Sequence, residues 1–582
     1  MDRETVRATA LVFAAALVLQ VVLLLDDRDN PFRQILVSDA RSYAEWAERL
    51  AGGGLRAEPT FYQAPLFPLL LAAVPRMAWP ALQALLSAAA LALLVPVGRL
   101  AFGGVAPGVA AAIAAALHGA LPFHGLKILP VPLALATQGA ALLALLLARA
   151  RPSPRRALAA GALAGLAALA RAEMLLWIPV AAAALWRKGA WLLAGAAALV
   201  ILPVTLHNAR EGGFVPIASS GGDNLFVGNQ RGATGAVGAL DPRAGDLFSM
   251  RALSRKLAEE AEGRPLDPAE VSAHWTRRAL HEIGADPAAW LRLLGRKLGR
   301  VLHPGDPNDL YSLPLERARY LPTLQPLRLS AWPLLALAAC GIVLGVRAAT
   351  FARSWPALAL AACNLAALVL FFVSTRLRLP LLYALAAFAG HALATGVAAY
   401  RTERLRVSLA AGALALLVLA GAVLEKPAPR DRLRLASVLS IAGRLEEGLE
   451  VLVPCTARDP DALCLDQRGW LLERRGSLVP AAEAYTQALA RGLPAGRAPS
   501  THSRLAGVLD RLGRPEDAAR EHDAAVADPA GGAGARVERA RFRARHGDLS
   551  GALDDLRQAE RLEPGWPEPA RAARELGLSI AR

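Results

Sequence analysis

The feature that most restricts this chain is a series of long blocks of alanine, leucine and valine, unbroken by charge, recurring across its first 424 residues. About 20 such residues coiled as a helix cross the ~30 Å hydrocarbon layer of a bilayer, where only structures that satisfy their own backbone groups survive. The 582-residue chain is 54% hydrophobic and 20% charged, which excludes a soluble enzyme and a disordered or fibrous chain. The expected fold class is all-α: a polytopic membrane domain over 1–424, then a different kind of domain over 425–582.

Eleven apolar spans are expected, approximately at 7–25, 80–98, 106–123, 129–148, 156–170, 173–186, 189–206, 326–346, 354–373, 379–398 and 407–424. The fifth and sixth are the shortest. The first runs directly into Asp26 and Asp27 without an A-x-A-like site, so it reads as an anchor rather than a cleavable signal peptide. With the N-terminus in the cytoplasm, the cytoplasmic connections collect Arg99, Arg149, Arg151, Arg155, Arg156, Arg187, Lys188, Arg347, Arg353, Arg401, Arg404 and Arg406. The short outer connections carry Lys127, Arg171, Arg376 and Arg378. That bias obeys the positive-inside rule and puts residues 26–79, 207–325 and the whole tail on the outer side of the membrane.

Of the net charge of +16, +15 resides in the apolar part, where 40 basic residues stand against 25 acidic ones before residue 425. They are dispersed through short loops instead of gathered on one polar face, which argues for the lipid bilayer as partner and against nucleic acid. Cys340 and Cys363 fall within apolar spans, as small buried hydrophobes would. Cys455 and Cys464 stand in "PCTARDPDALC" with eight residues between them. An oxidising compartment would let them close a loop worth ~2–3 kcal/mol in the chain-entropy model, and two free thiols are the other reading. No CxxC or HExxH spacing signals a zinc site.

After residue 430 the chain repeats itself. Gly443, Gly476, Gly513 and Gly547, spaced by 33, 37 and 34, each separate an apolar helix from a second helix rich in small residues. Nine residues past the last three glycines come Tyr485, His522 and Leu556, where the second helix would pack inward. This period resembles that of tetratricopeptide repeats, which implies an α-solenoid with a concave groove for a peptide or protein partner. Docking of the repeats on the membrane domain is the simpler alternative.

Three short stretches on the outer side resemble the GT-C superfamily of membrane glycosyltransferases, in particular bacterial relatives of protein O-mannosyltransferases and aminoarabinose transferase. Asp39 and Tyr43 in "SDARSYAEW", one turn apart on one helix face, precede "PLFP" at Pro65 to Pro68. Ser38 and Asp39 would also serve as ordinary helix-start residues. The second outer segment contains "GGDNLFVGN", with Gly221, Gly222, Asn224, Phe226, Gly228 and Asn229, similar to a subgroup that carries tetratricopeptide tails. Arg376, Arg378 and Pro380 form an R-x-R-x-P element before a late helix.

The resemblance implies a GT-C-like core that moves a sugar from a polyprenyl-phosphate donor to an acceptor on the periplasmic face, by single displacement with inversion. The leaving group would be a lipid phosphate, which needs cations more than an acid. Arg376 and Arg378 fit that need, since a guanidinium grips phosphate oxygens two at a time and stays charged. The rival reading has arginines snorkelling to headgroups. The acceptor hydroxyl needs a base, and Asp39 is the candidate. Asn224 and Asn229 are candidate sugar or acceptor contacts, although turn formation alone would explain them.

Two positions depart from the family pattern. The outer turn between the third and fourth spans reads "PFHGLK", with His124 and Lys127 where an acidic residue is usual, and Asp306 in "GDPNDLY" stands in for a glutamate. No cofactor is assigned, and the requirement for a divalent metal is left open. A non-catalytic membrane scaffold that organises an envelope assembly through its repeats is the alternative function. A transporter ranks below both, because the paired halves with broken helices are missing. Residues 262–300 alternate apolar positions with Arg277, Arg278, Arg292, Arg296, Lys297 and Arg300, and Pro287 divides them into two amphipathic helices expected along the outer surface.

Overall fold

The computed structural model describes every residue except 1, 58, 188, 212, 239, 241–246, 305–309, 328, 348–349, 425–427, 458, 495 and 580–582. Asp306 thus lies outside the described residues. The chain divides into two compact units, Met1–Lys426 and Pro427–Arg582, and among the described residues it is helical throughout, with one isolated bridge between Ala236 and Val373.

The principal helices of the first unit are α1 (Arg3–Asp26), α2 (Ser38–Gly53), α3 (Trp79–Phe102), α4 (Val105–Leu117), α5 (Val131–Ala150), α6 (Pro154–Ala170), α7 (Trp177–Ala184), α8 (Ala190–Asn208), α9 (Gly221–Asn229), α10 (Pro268–Ala285), α11 (Pro287–Leu302), α12 (Ala331–Arg347), α13 (Phe351–Leu370), α14 (Thr375–Ala399) and α15 (Arg404–Leu424). Each of the eleven apolar segments coincides with helix. Among the described residues seven helices are long and apolar enough to cross a membrane: α1, α3, α5, α8, α13, α14 and α15. Three others, Val105–Leu117, Ala172–Ala184 and Ala331–Val346, are apolar but shorter. The 13 residues of α4 reach only ~20 Å, because the segment breaks at Gly119 before resuming as Ala120–His124.

Close helix packing follows from glycine. A Cβ on Gly98 would overlap the backbone of Gly108, joining α3 to α4; on Gly341 it would meet the Phe388 carbonyl, joining α12 to α14; on Gly390 it would enter the backbone of Pro107 and Ala111. Small residues let apolar helices approach until dispersion alone holds them, which is how helices pair when lipid offers no hydrophobic gain. Some polar groups inside pair across helices: Asn364 donates to Gln138, Gln138 to the Pro380 carbonyl, and Tyr383 to the Ala90 carbonyl at 2.7 Å. Outward, Leu11, Val18, Leu199, Leu409 and Leu416 are well exposed, a surface that requires apolar surroundings.

Helices α10 and α11 divide at Pro287, as their amphipathic pattern requires. Trp332 of α12 donates to the Leu302 carbonyl, and Lys297 donates to the Val369 carbonyl near the end of α13. Together these bonds seat α11 across helix ends on the outer side of the expected topology.

The second unit stacks α16 (Pro429–Ile441) on α17 (Leu445–Thr456), then α18 (Ala462–Arg475) on α19 (Leu478–Arg491), α20 (Ala498–Arg511) on α21 (Pro515–Ala527) and α22 (Gly532–Arg545) on α23 (Leu549–Leu562), with α24 (Pro567–Glu575) last. The repeat glycines 443, 476, 513 and 547 occupy the turn inside each pair with φ between 74° and 86°, a left-handed conformation that a side chain resists. Tyr485, His522 and Leu556 are buried at the pair interfaces. The first helix of each pair also touches the first helix of the next, so these helices form one continuous layer. Charge stitches that layer to its neighbours: Arg539 and Arg543 of α22 both reach the buried Asp555 of α23. Cys455 and Cys464 are joined as a disulfide across the turn between the first two pairs.

The packing predicts that Gly390→Ala lowers the thermal midpoint of the detergent-solubilised protein, at a cost of about 1–3 kcal/mol, as overpacking typically does. Gly396, on the same helix with open space around it, should tolerate alanine without a measurable shift.

Candidate functional site

Helix α2 begins abruptly. Ser38 has φ 47°, a conformation that costs a non-glycine residue ~1–2 kcal/mol and turns the chain so that Asp39 enters the first helical turn. A carboxylate there is favoured by the unpaired amides of the helix start. One turn on, Tyr43 is buried, with its ring edge-on to Phe67 and stacked on Trp46. Burial and then the nearby Asp39 push its phenol above the ordinary range, so it stays protonated.

Arg376 belongs to the first turn of α14, 337 positions later in the chain. Its Nη1 stands 2.5 Å from Asp39 Oδ2, and the two side chains are 15% and 18% exposed. Both face a cavity of about 430 Å³, lined also by Tyr43, Gln63, Arg171, Glu173, Ser220, Asn224 and Asn364, with Leu175, Leu368, Phe371 and Phe372 among its apolar walls. A pocket of this size with a few convergent polar groups on apolar walls is the usual form of a small-molecule site. Arg171 and Glu173 make a second ion pair on its rim.

The two outer segments meet along this cavity because their backbones pair: Ser219 and Ser220 amides donate to the Phe61 and Tyr62 carbonyls. Tyr62 also donates its hydroxyl to Asp223 at 2.7 Å. Burial raises the Asp223 carboxyl to about 6, against the lowering effect of the Tyr62 hydroxyl. The glycines of "GGDNLFVGN" have a steric cause, since a Cβ on Gly222 would strike the Ser272 carbonyl and one on Gly228 the Phe371 carbonyl. Beyond Phe371, the Val373 amide donates to the Gly235 carbonyl at 3.0 Å.

Of the residues singled out from the sequence, Asp39, Tyr43, Asn224 and Arg376 come together at this cavity. Arg378, Asn229, His124 and Lys127 serve packing instead. Arg378 is buried away from it and donates to the Val301 and His303 carbonyls, capping the end of α11, so it does not join Arg376 as a phosphate ligand. Asn229 accepts from Trp290 and Lys297 and donates to the Leu370 carbonyl, which makes it a brace between α9, α11 and α13. His124 is buried with Nδ1 at 2.8 Å from the Ala120 carbonyl. Lys127 is buried beside Glu316 at 2.6 Å and Asp27 at 4.0 Å, with the rings of Phe123 and Tyr311 each 4.8 Å away. Burial raises the Glu316 carboxyl, opposed by Lys127.

Sequence reasoning missed Arg171 and Glu173 as site residues. The available clue was a charged pair two residues apart directly after an apolar span. Among the described residues no group of three or more His, Cys, Asp or Glu is placed to hold a metal ion.

No protein-family model and no curated protein matches the chain. Solved structures similar to parts of it include YrrB, described as a TPR protein with an unusual peptide-binding site, at 22% identity over 25% of this chain and 74% of that one, TM-score 0.21. PilF of Pseudomonas aeruginosa matches at 15% identity over 42% of this chain and 97% of its own, TM-score 0.22. Cut9–Hcn1 of the APC/C matches at 12% identity over 94% and 98%, TM-score 0.26. Scores this low establish no common architecture for the whole chain.

Asp223 yields a pH test. Its unfolded carboxyl ionises near 3.8 and its folded one at about 6, so the folded protein binds the extra proton and loses stability as pH rises through that window. The loss should amount to about 3 kcal/mol. Thermal midpoints measured from pH 4 to 7 should fall for the wild type relative to Asp223→Asn, with the difference constant above pH ~7.

Proposed function

We propose that the chain is a GT-C-type glycosyltransferase of the bacterial inner membrane that moves a sugar from a polyprenyl phosphate to an acceptor hydroxyl at the periplasmic face. The observation that carries this reading is the meeting of Asp39 and Arg376 at one cavity, at the outer ends of apolar helices on the expected topology. A single cavity that offers two carboxylates, two guanidinium groups, a protonated phenol and amide side chains matches the needs of glycosyl transfer from a phosphate.

In the transfer, the acceptor oxygen bonds to the anomeric carbon and its proton passes to Asp39. The bond from that carbon to the phosphate oxygen breaks, and its electron pair leaves with the lipid phosphate. Arg376 meets the charge that accumulates there, with Arg171 taking the second cationic position first assigned to Arg378. Fixed guanidinium groups in a partly dry site stabilise developing charge at little reorganisation cost. Asn224 and Gln63 offer amides to sugar or acceptor hydroxyls, and the apolar walls suit the isoprenoid.

The tail is proposed to bind a protein or peptide, either the acceptor itself or a partner that delivers it. The continuous layer of first helices supports this reading. The disulfide between Cys455 and Cys464 supports a periplasmic location.

Purified protein supplied with lipid-extracted polyprenyl-phosphate sugars and periplasmic acceptor fractions should transfer label. Asp39→Asn should fold and insert yet lose transfer by ~10²–10⁴-fold, the usual worth of a positioned base. Unaltered turnover in that variant would remove Asp39 as the base.

A further inference from the structure

The contact that supports the transferase reading also poses a conflict for it. Arg376 and Asp39 neutralise each other at 2.5 Å, so the base and the cation for the phosphate are each engaged with the other. An Asp39 oxygen in contact with a guanidinium N–H is not open to an acceptor hydroxyl. A guanidinium turned to a carboxylate has fewer N–H groups for an incoming phosphate.

Both partners have somewhere to go. A phosphate takes two guanidinium N–H groups side by side and carries more charge than a carboxylate, so it competes well for Arg376 at the mouth of the same cavity. Asp39, once released, stays in the first turn of its own 16-residue helix, where the free amides support negative charge. The protonated Tyr43 lies one turn along. Arg171 is paired separately with Glu173, so it can help receive the phosphate without disturbing Asp39.

We infer that Arg376 is handed from Asp39 to the phosphate of the lipid donor, so that donor binding itself frees the base and the acceptor reacts second. The inference rests on the transferase reading. In the exchange one set of N–H···O bonds replaces another and no covalent bond changes. In the transfer that follows, the acceptor proton goes to the freed carboxylate, and the electron pair of the sugar–phosphate bond goes to the oxygen now held by Arg376.

The exchange makes an unusual prediction: removing the base should tighten donor binding. Polyprenyl phosphate, the leaving lipid, is the probe, titrated against the full chain in detergent with inorganic phosphate as competitor. Asp39→Asn and Asp39→Ala should both bind it about tenfold more tightly than the wild type, and Arg376→Ala at least tenfold more weakly. A gain in either Asp39 variant that elutes as a monodisperse protein supports the exchange. If well-folded Asp39 variants bind with wild-type affinity, the exchange is overturned while the transferase reading stands. Failure of the wild type itself to bind the lipid overturns both. Equal competition by inorganic phosphate would make this a site for the free ion and overturn the lipid assignment.

Discussion

The ion pair between Asp39 and Arg376 is the contact that joins the starts of α2 and α14 beside the cavity of the first unit. Each charge offsets part of the desolvation cost of the other at a site where both side chains are largely covered, and the amides at the start of α2 give Asp39 further support. The geometry that joins them is indirect. Ser38 turns α2 inward, backbone bonds at Phe61 and Tyr62 tie the first outer segment to the second, and Gly228 lets the second press against Phe371, five residues before Arg376. Each link is local, and together they bring distant parts of the chain to one rim.

The same economy of charge operates elsewhere in the unit. Arg171 has Glu173, Lys127 has Glu316 and Asp27, and Arg378 has the carbonyls that end α11. What separates the first pair from the buried ones is access. Asp39 and Arg376 border an open cavity, whereas Lys127 is enclosed by aromatic rings and Arg378 by backbone, so those two are consumed in holding elements together.

The helices were legible in the sequence because apolar length is a strong, local signal, and the four repeat glycines marked the pairs of the tail for the same reason. Span number was less legible. Gly119 and Pro122 break the segment after 13 residues, an interruption that apolar length alone does not register. At the site, the resemblance singled out Asp39 and Tyr43, but a span expected from 379 hid that α14 starts at Thr375, where residues two apart point about 200° from each other. Arg376 therefore meets the cavity while Arg378 faces α11. Asn229 shows the converse: a motif position whose regularity comes from bracing three helices, where the glycines beside it answer to steric crowding.

The bond from the Val373 amide to the Gly235 carbonyl joins main chain to main chain, three residues ahead of Arg376. The bond itself uses no side chain, yet both of its ends are pinned: Val373 is fully buried, and Gly235 has φ 84° with the Lys297 stem against it. A side chain forced in at either end would shift the strut on which the guanidinium three residues on keeps its station.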